Sequence, residues 1–387
     1  MLAVGLAKAD AGDTLNVFVG ATATYDDNVF RLPESANPRL ALGKPTKSDQ
    51  LEVTYAGIRL DKSYSQQRVQ VDATVSNYRY QTFNQLNFDA LDYRVLWMWH
   101  LTQRFSGHLS ADSKQTQSNI AETRNYTSSS TVTTQNRRFD ADWWLHGNWH
   151  LTGGVAQYSW RNSKTFRAED SVLRRSADAG VRYVEASGSS LELLTRQARG
   201  TYDERQLNVP QLLDTGFTQT ETELRMSWIL SGKSTLSGRV TRLQRKHQHF
   251  VQRDFGGTAG RLDYTLMPAG KLQLKLSAAR DIASYQTANH SYYVNESFAF
   301  TPVWQISDKV ALRLNLESSQ RDFLGGAALA LPVARRDHGR SVQLSLDWSP
   351  LRFLQLTFSL QHDERSSNDA NLGFEANAAS VTAQISF

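Results

Sequence analysis

Apolar and polar residues alternate most regularly between Phe374 and Phe387. One face of this stretch carries the apolar residues Ala379, Val381, Ala383, Ile385 and Phe387. Successive side chains of a strand point to opposite faces, so the pattern predicts a strand with one apolar and one polar side. The apolar side would be the inner face of a soluble β-sandwich or the lipid-facing surface of a membrane barrel.

The same alternation recurs from Leu15 onward, in runs of about ten to fifteen residues. Short turns and longer polar connections follow these runs in strict alternation. Short turns are expected near Ser65–Gln66, Thr102–Gln103, Thr152–Gly153, Ser187–Ser190, Ser231–Lys233, Pro268–Gly270, Ser307–Asp308 and Ser349–Pro350. Together the connections join about eighteen strands, which predicts an all-β fold, a single transmembrane antiparallel β-barrel with short periplasmic turns and long extracellular loops. An even number of strands places both termini in the periplasm.

Composition agrees with a barrel and disagrees with a bundle of membrane helices. The chain has 387 residues, of which 40% are hydrophobic, and its mean hydropathy is -0.49. No run approaches the roughly 18 apolar residues that a spanning helix needs, whereas only every second residue of a barrel strand faces lipid. The chain has no cysteine, which is compatible with an envelope protein that needs no disulfides.

The charge balance is basic but evenly mixed. There are 43 basic and 38 acidic residues, and the sequence pI is about 9.3. Such a pI can indicate nucleic-acid binding, but no basic run or nucleic-acid motif is present. The sequence therefore predicts no nucleic-acid partner.

The two ends of the chain carry further signals. Leu2–Leu6 is apolar and precedes Ala7-Lys8-Ala9, which has the spacing of a signal-peptidase site. Residues 1–9 are therefore expected to be a remnant of a signal peptide, with a disordered tail as the alternative, and residues 10–387 to be an outer-membrane β-barrel. Phe387 resembles the last residue of bacterial outer-membrane barrels, which implies recognition by the barrel assembly machinery.

The polar faces of the predicted strands carry ionisable groups of both signs. A barrel of this size is wide enough to hold water, so these groups would stay solvated in a lumen. The candidate lumen residues are Arg138, Asp140, Asp142, Trp144, Arg174, Asp178, Arg182, Glu221, Glu223, Arg225, Arg313 and Glu317. A ring of one sign would select ions by charge, so the mixture predicts weak ion selectivity.

Two connections differ from the others in composition. The third, Asn119–Gln135, consists mainly of Ser, Thr, Asn and Gln, and the eighth, Gly325–Pro332, is apolar. An apolar loop is unfavourable in water. The eighth loop is therefore expected to fold inward and narrow the pore, or to pack on another subunit.

Few stretches carry a signature of metal or cofactor chemistry. Ser231–Ser234 resembles the end of a phosphate-binding loop, but Ser227 stands where that motif needs its first glycine. His146 and His150 would lie roughly 13 Å apart along one strand, too far to share a metal. A pair at His247 and His249 is better explained as solvated loop-edge histidines.

Asp26-Asp27-Asn28 offers oxygen ligands but lacks the spacing of a calcium loop. The chain also has no Gly-x-Ser-x-Gly motif. The sequence therefore predicts no cofactor, no metal and no enzyme activity.

The beginning of the barrel resembles a known family. Asp13–Gly20 followed by Tyr25–Leu32 is similar to the start of the exosortase-associated exopolysaccharide outer-membrane proteins of the EpsL type. The resemblance covers about the first 35 residues. It implies a barrel that takes part in extracellular polysaccharide biosynthesis, export or surface attachment, with polysaccharide, periplasmic export components and outer-membrane lipid as partners.

A polar lumen would suit a glycan, because sugars hydrogen-bond to polar groups and stack on aromatic rings such as those of Tyr78 and Trp144. The same lining would serve any hydrophilic pore. A general diffusion porin for small hydrophilic solutes is therefore the alternative function, and an enzyme or structural barrel with a blocked lumen is a third hypothesis.

Overall fold

The computed structural model describes residues 14–118, 122, 130–163, 171–203, 205–287, 290–325 and 334–387. Strands make up most of these ranges. They are β1 (Leu15–Asp26), β2 (Asp49–Tyr64), β3 (Gln67–Tyr80), β4 (Phe88–Thr102), β5 (Phe105–Gln117), β6 (Thr131–His146), β7 (Trp149–Asn162), β8 (Ser171–Val184), β9 (Ser190–Tyr202), β10 (Gly216–Ser231), β11 (Ser234–His247), β12 (Phe255–Ala269), β13 (Leu272–Ser284), β14 (Tyr292–Ser307), β15 (Val310–Leu324), β16 (Arg336–Leu351), β17 (Leu354–Ser367) and β18 (Phe374–Ser386).

Short helical segments occur in the connections between strands. They are the helix α1 (Pro38–Leu42) and the 3-10 turns Asn84–Leu86 and Val251–Arg253. Within the described ranges, no helix has both the length and the apolar character needed to cross a bilayer. The predicted signal-peptide remnant, residues 1–9, lies outside the described residues.

The strands form one closed antiparallel sheet. Each strand pairs with its neighbours in sequence, and β1 pairs with both β2 and β18 to complete an 18-stranded barrel. At this seam Val17 and Phe387 exchange two backbone hydrogen bonds, of 3.0 and 2.7 Å. Closure satisfies the backbone donors and acceptors that the edges of an open sheet would expose. The predicted fold, an antiparallel barrel of about 18 strands, is confirmed.

The outer surface of the barrel is apolar because the register aligns apolar positions of neighbouring strands. Ile385 of β18 pairs with Val19 of β1 on one side and with Leu354 of β17 on the other. Large apolar side chains on this face are exposed, for example Leu360 at 61% and Val381 at 46%. A soluble sandwich would bury these groups, whereas lipid covers them on a membrane barrel.

A row of tryptophans marks the barrel end that carries the short turns. Trp97, Trp143, Trp149, Trp304 and Trp348 lie on the outer face within a few residues of these turns, and each side chain is at least 41% exposed. Aromatic side chains of this kind gather at the interface between lipid and water. The row therefore defines one boundary of the membrane-spanning belt.

Two predicted turns are wrong. Ser349–Pro350 lies within β16, and its turn follows at Arg352–Phe353. The second error concerns the turn after β6. The alternation through Phe139–Leu151 placed a turn at Thr152–Gly153, but β6 ends at His146, β7 begins at Trp149, and Gly147 occupies a left-handed conformation with φ 56°. A register shift between Trp144 and His146 keeps even-numbered residues on the inner face of both strands. The period of two therefore continues through the turn and hides it.

The opposite barrel end carries the long connections, and part of it is packed. Phe30 and Leu32, which follow β1, are buried against Phe83 and Leu86, which follow β3. The rings of Phe30 and Phe83 meet edge to face, with their centroids 4.7 Å apart. This cluster packs the long connection after β1 against the long connection after β3 at this end of the barrel.

Candidate channel lumen

The register places all twelve predicted lumen residues at inward positions. Asp140, for example, lies between the outward residues Phe139 and Ala141 on β6, and Arg313 lies between Leu312 and Leu314 on β15. The inward position of these residues follows from strand parity. That they contact a solute stays a prediction.

Four of the predicted residues and the neighbouring Arg196 form a continuous chain of ion pairs along the inner wall from β6 to β10. Arg138 binds Asp140 at 3.3 Å and Asp178 at 2.8 Å, and Arg196 binds Asp178 at 3.4 Å and Glu221 at 2.7 Å. Asp178 and Glu221 lie directly opposite Arg196 on its two neighbouring strands. We call Asp140, Arg138, Asp178, Arg196 and Glu221 the ion-pair ladder.

A second group lies nearer the short-turn end on β6, β7 and β8. Asp142 contacts Arg182 and lies 2.6 Å from Nδ1 of His150. Trp144 donates a 2.6 Å hydrogen bond from its indole nitrogen to the Gly147 carbonyl. These contacts hold the inner wall beside the turn that the sequence misplaced.

A third group continues the inner wall on β9 to β11. Arg225 contacts Glu223 and reaches Glu192 at 3.4 Å, and Thr241 donates a 2.9 Å hydrogen bond to Glu223. Side chains of opposite charge thus alternate around much of the lumen. Because the positive and negative charges are paired, the wall does not produce a strong electrostatic potential of one sign. Such a wall should discriminate weakly between cations and anions.

The remaining predicted residues lie elsewhere in the lumen. Arg313 binds Asp347 at 3.1 Å on the wall formed by β15 and β16. Glu317 occupies another inward position on β15. Arg174 lies 5.3 Å from the ring centroid of Tyr158, which is cation-π distance.

Glu122, in the third long connection, crosses the lumen. Its carboxylate accepts hydrogen bonds from Arg335 at 3.0 and 3.1 Å, from Arg365 at 2.7 Å and from the Tyr285 hydroxyl at 3.3 Å. The connection leaves the wall between β5 and β6, whereas these partners lie next to β13, β16 and β17. Glu122, which lies between β5 and β6 in sequence, is therefore held at side chains beside β13, β16 and β17.

The surroundings of Glu122 keep it ionised. Burial alone would raise its pKa, but hydrogen bonds from Arg335 and the charges of Arg335, Arg365 and Arg321 outweigh this and hold the pKa below its ordinary value. The same contacts, together with Asp337, raise the pKa of Arg335 despite its burial. We call Glu122, Arg335 and Arg365 the Glu122 bridge. All three side chains of this bridge are charged at neutral pH.

Sequence reasoning missed Glu122, which it grouped with the polar third connection. One acidic residue within a stretch of Ser, Thr, Asn and Gln was the available signal. The eighth connection was expected to narrow the pore instead. Residues 326–333 of that connection lie outside the described residues.

A cavity of about 830 Å³ opens beside Glu122 inside the barrel. Its charged lining includes Glu122, Arg174, Arg196, Glu221, Glu223, Arg239, Arg245, Asp281 and Arg321. Among the described residues, the structure gives Arg174 and Arg239 no carboxylate within ion-pair distance. These two guanidinium groups are therefore available to bind a small anion or an anionic solute that enters the cavity.

A second buried carboxylate, Asp214, lies in the long connection after β9. It accepts hydrogen bonds from the His249 ring at 2.9 Å and from the backbone amides of His249 at 2.6 Å and Phe250 at 3.0 Å. Burial would raise its pKa, but these hydrogen bonds lower the pKa to about 2. Asp214 thus links the connection after β9 to the connection after β11.

The other sequence motifs have structural roles. Asp26 binds Arg31 at 2.7 Å, Asp27 accepts from the amide of Asn377, and Asn28 donates to the Leu32 carbonyl. The described ranges contain no cluster of three metal-ligating side chains. Ser231–Ser234 forms the turn between β10 and β11.

Residues 258–387 match one family model, whose description is "Putative beta-barrel porin 2". This segment begins in β12 and ends with β18. None of the curated proteins matches the chain.

Solved structures with a similar fold are porins. OccK2 (OpdF) of Pseudomonas aeruginosa, in complex with glucuronate, has a TM-score of 0.53 at 10% identity, covering 97% of this chain and 98% of its own. A BenF-like porin of Pseudomonas fluorescens Pf-5 has a TM-score of 0.53 at 12% identity, with the same coverage. OpdK of P. aeruginosa with vanillate has a TM-score of 0.52 at 10% identity, covering 96% of this chain and 99% of its own. At such identities the likeness establishes the outer-membrane barrel fold.

The comparisons correct the expected family. The matching model describes porins and the structural neighbours are porins, so the assignment to the EpsL-type family, and to exopolysaccharide biosynthesis with it, is wrong. The stretch that carried the resemblance contains Asp26, Asp27 and Asn28, whose contacts fasten β1 and its connection to β18. Porins are channels rather than enzymes, in agreement with the expectation that the chain is not an enzyme.

Proposed function

We propose that this protein is an outer-membrane channel through which small hydrophilic solutes diffuse passively. The observation that carries the proposal is the inner wall, where charged side chains of both signs face an aqueous cavity beside the Glu122 bridge. Polar groups of such a wall replace part of the hydration shell of a polar solute with hydrogen bonds. The porin family match supports this function.

The direction of insertion follows from the same architecture. On this proposal the short turns with their tryptophan row face the periplasm, as do both chain termini, and the long connections face the outside. On this arrangement the Glu122 bridge lies towards the outer half of the lumen. Protease added to intact cells is expected to cut the long connections and to leave the short turns intact.

We further propose small carboxylates as one class of solute. OccK2 was solved with glucuronate and OpdK with vanillate, and both ligands carry one carboxylate. In this chain Arg174 and Arg239 line the cavity without a carboxylate within ion-pair distance among the described residues. Guanidinium groups bind carboxylates through paired, charge-assisted hydrogen bonds.

Planar-bilayer recording tests the channel function. Purified protein is expected to give discrete conductance steps with weak discrimination between potassium and chloride. Sodium glucuronate added to one side should reduce the chloride current in a concentration-dependent way. Arg174→Gln with Arg239→Gln should weaken that block, while Arg313→Gln, whose arginine is already paired with Asp347, should leave it unchanged. Membranes that show no conductance steps would contradict the proposal.

A further inference from the structure

The outward face of the barrel carries a concentration of basic residues on one side. Arg137 of β6, Arg175 of β8, Arg199 of β9, and Arg242 and Lys246 of β11 all occupy outward positions and are exposed. We call these five residues the basic strip. They lie beyond the apolar belt, on the side away from the tryptophan row.

The register brings the members of the strip close together. Arg175 pairs directly with Arg199, and Gln157 alone separates Arg175 from Arg137 in the same cross-strand row. On the other side, Thr218 separates Arg199 from Lys246. Neighbouring strands lie about 4.8 Å apart, so the four cations of this row fall within roughly 25 Å.

This arrangement is unfavourable without an anionic partner. Like charges directly opposite each other in a sheet destabilise it. Elsewhere on the outer face, exposed arginines are matched: Arg280 with Glu296, Arg336 with Asp322 and Arg340 with Glu364. Within the described ranges, no carboxylate lies within ion-pair distance of a member of the basic strip.

The surface beneath the strip is apolar and concave. A shallow groove of about 740 Å³ has Leu109, Phe139, Val155 and Ala177 on its outward floor, and Arg137, Arg175 and Arg199 on its rim. The floor continues into the lipid-facing belt. Arg175 lies eight residues above Tyr183 at the short-turn end, which is about 20 Å along the membrane normal for a tilted strand. That height lies near the upper edge of a hydrocarbon layer about 25 Å thick, and a long arginine side chain reaches the remaining distance to the headgroups.

The geometry points to a binding site for a phosphorylated lipid of the outer leaflet, with its acyl chains on the apolar floor and its phosphate groups on Arg137, Arg175 and Arg199. A soluble acidic protein would match the charge but would not occupy a floor that lies within the bilayer. A phosphorylated lipid has both features in the matching arrangement, because its phosphate groups lie above its acyl chains. Arginine is suited to this role because its planar fork binds phosphate oxygens in pairs.

Native mass spectrometry can measure this binding on the intact barrel in a neutral detergent. The probe is diphosphorylated lipid A, with phosphatidylcholine as the uncharged-headgroup comparison and inorganic phosphate as the free-anion comparison. Wild-type protein is expected to retain lipid A and to release phosphatidylcholine. Each cation near a lipid surface contributes roughly a factor of five to affinity, so Arg175→Gln combined with Arg199→Gln should weaken lipid A binding about 25-fold.

Arg340→Gln is the matched control, because Arg340 is also an exposed, outward arginine but lies 3.8 Å from Glu364. It should leave lipid A binding within twofold of wild type. Folding is checked by the heat-dependent gel shift of the barrel. If the double Gln variant fails to fold, the single variants Arg175→Gln and Arg199→Gln serve instead, and each should weaken lipid A binding about fivefold.

Several results would overturn the assignment. Equal lipid A affinity of the wild type and the double Gln variant would remove the strip as the site, and so would an equal loss in Arg340→Gln. Complete displacement of lipid A by inorganic phosphate at matched concentration would indicate a free-anion site. A dimer that disappears in the double Gln variant would indicate an interface between two copies. Channel conductance is measured separately, so failure of the lipid site leaves the proposed function unaffected.

Discussion

Replacing Glu122 with alanine is expected to release the third connection from the far wall and widen the passage. The substitution removes one carboxylate that accepts from Arg335, Arg365 and Tyr285. Both guanidinium groups are mostly buried, with side-chain exposures of 10% and 12%. Each keeps a second partner, because Arg335 still binds Asp337 at 2.5 Å and Arg365 still donates to the Leu372 carbonyl at 2.7 Å.

The magnitude follows from this partial compensation. Removing one member of a buried ion pair costs about 3 to 5 kcal/mol when the other charge is left alone. Because Asp337 remains beside Arg335, the lower end of this range, about 3 kcal/mol, applies to the docked connection. That energy corresponds to a roughly hundredfold lower ratio of docked to released connection. Glu122→Gln keeps some hydrogen bonds and should have an intermediate effect.

Single-channel recording provides the assay. Glu122→Ala is expected to raise the mean conductance and to add rapid current fluctuations, since a released loop moves within the passage. Glu364→Ala is the control, because Glu364 has the same charge but pairs with Arg340 on the outer face. If Glu122→Ala and wild type had the same conductance and the same noise, the carboxylate would not restrict the passage.

Acid should act on the same bridge, in a direction that follows from the lowered pKa of Glu122. Its contribution is fully present above the ordinary glutamate pKa of 4.5 and is lost as pH falls through the lower value in the folded protein. Wild-type conductance should therefore stay constant from pH 7 to about 5 and should rise only below the ordinary glutamate range. A rise already at pH 6 would mean that a different group controls the passage.

Three further predictions concern stability and assembly. Asp214→Asn should destabilise the connections after β9 and β11 by about 2 kcal/mol and accelerate their amide hydrogen exchange. Acidification of wild type from pH 7 to pH 5 should not, because the stability from this carboxylate is fully present above the ordinary aspartate pKa of 3.8 and is lost as pH falls from there through the folded pKa of about 2. Ile385→Arg should lower the yield of folded barrel more than Gln384→Arg, since Ile385 faces lipid and Gln384 faces the lumen; equal yields in a heat-shift gel would contradict the register. Deletion of Phe387, which removes the two backbone hydrogen bonds to Val17, should reduce the amount of heat-modifiable protein in outer-membrane fractions, and unchanged amounts would count against its role in assembly.

The strands and their inner and outer faces could be predicted from the sequence because they depend on a local period of two. Lipid and water on opposite sides of the wall impose that period on nearly every strand. The same alternation prevented prediction of the turn at Gly147, because a register shift preserves the period of two across the hairpin. A glycine followed by asparagine was a turn signal that the uninterrupted pattern outweighed.

The contacts that shape the site could not be predicted, because they join residues that are distant in sequence. Glu122 meets Arg335 and Arg365 across more than 200 positions. The basic strip likewise becomes visible only when Arg175 and Arg199 are placed opposite each other. A short similarity at the start of the barrel gave the wrong family, and the acidic residues there fasten the chain through contacts of Asp27 with Asn377 and of Asp26 with Arg31.

The seam between β1 and β18 has a consequence for how the barrel forms. Its nine paired positions join residues such as Phe18 and Ser386, which are 368 positions apart in sequence, whereas the other strand pairs can form as local hairpins. Closing so large a loop costs about 4 kcal/mol more entropy than closing a turn of a few residues. An open sheet in the bilayer would expose two edges of unpaired backbone groups, at several kcal/mol per group. We therefore expect the pairing of β1 with β18 to be the slow step of folding, and we expect the closed barrel to open slowly.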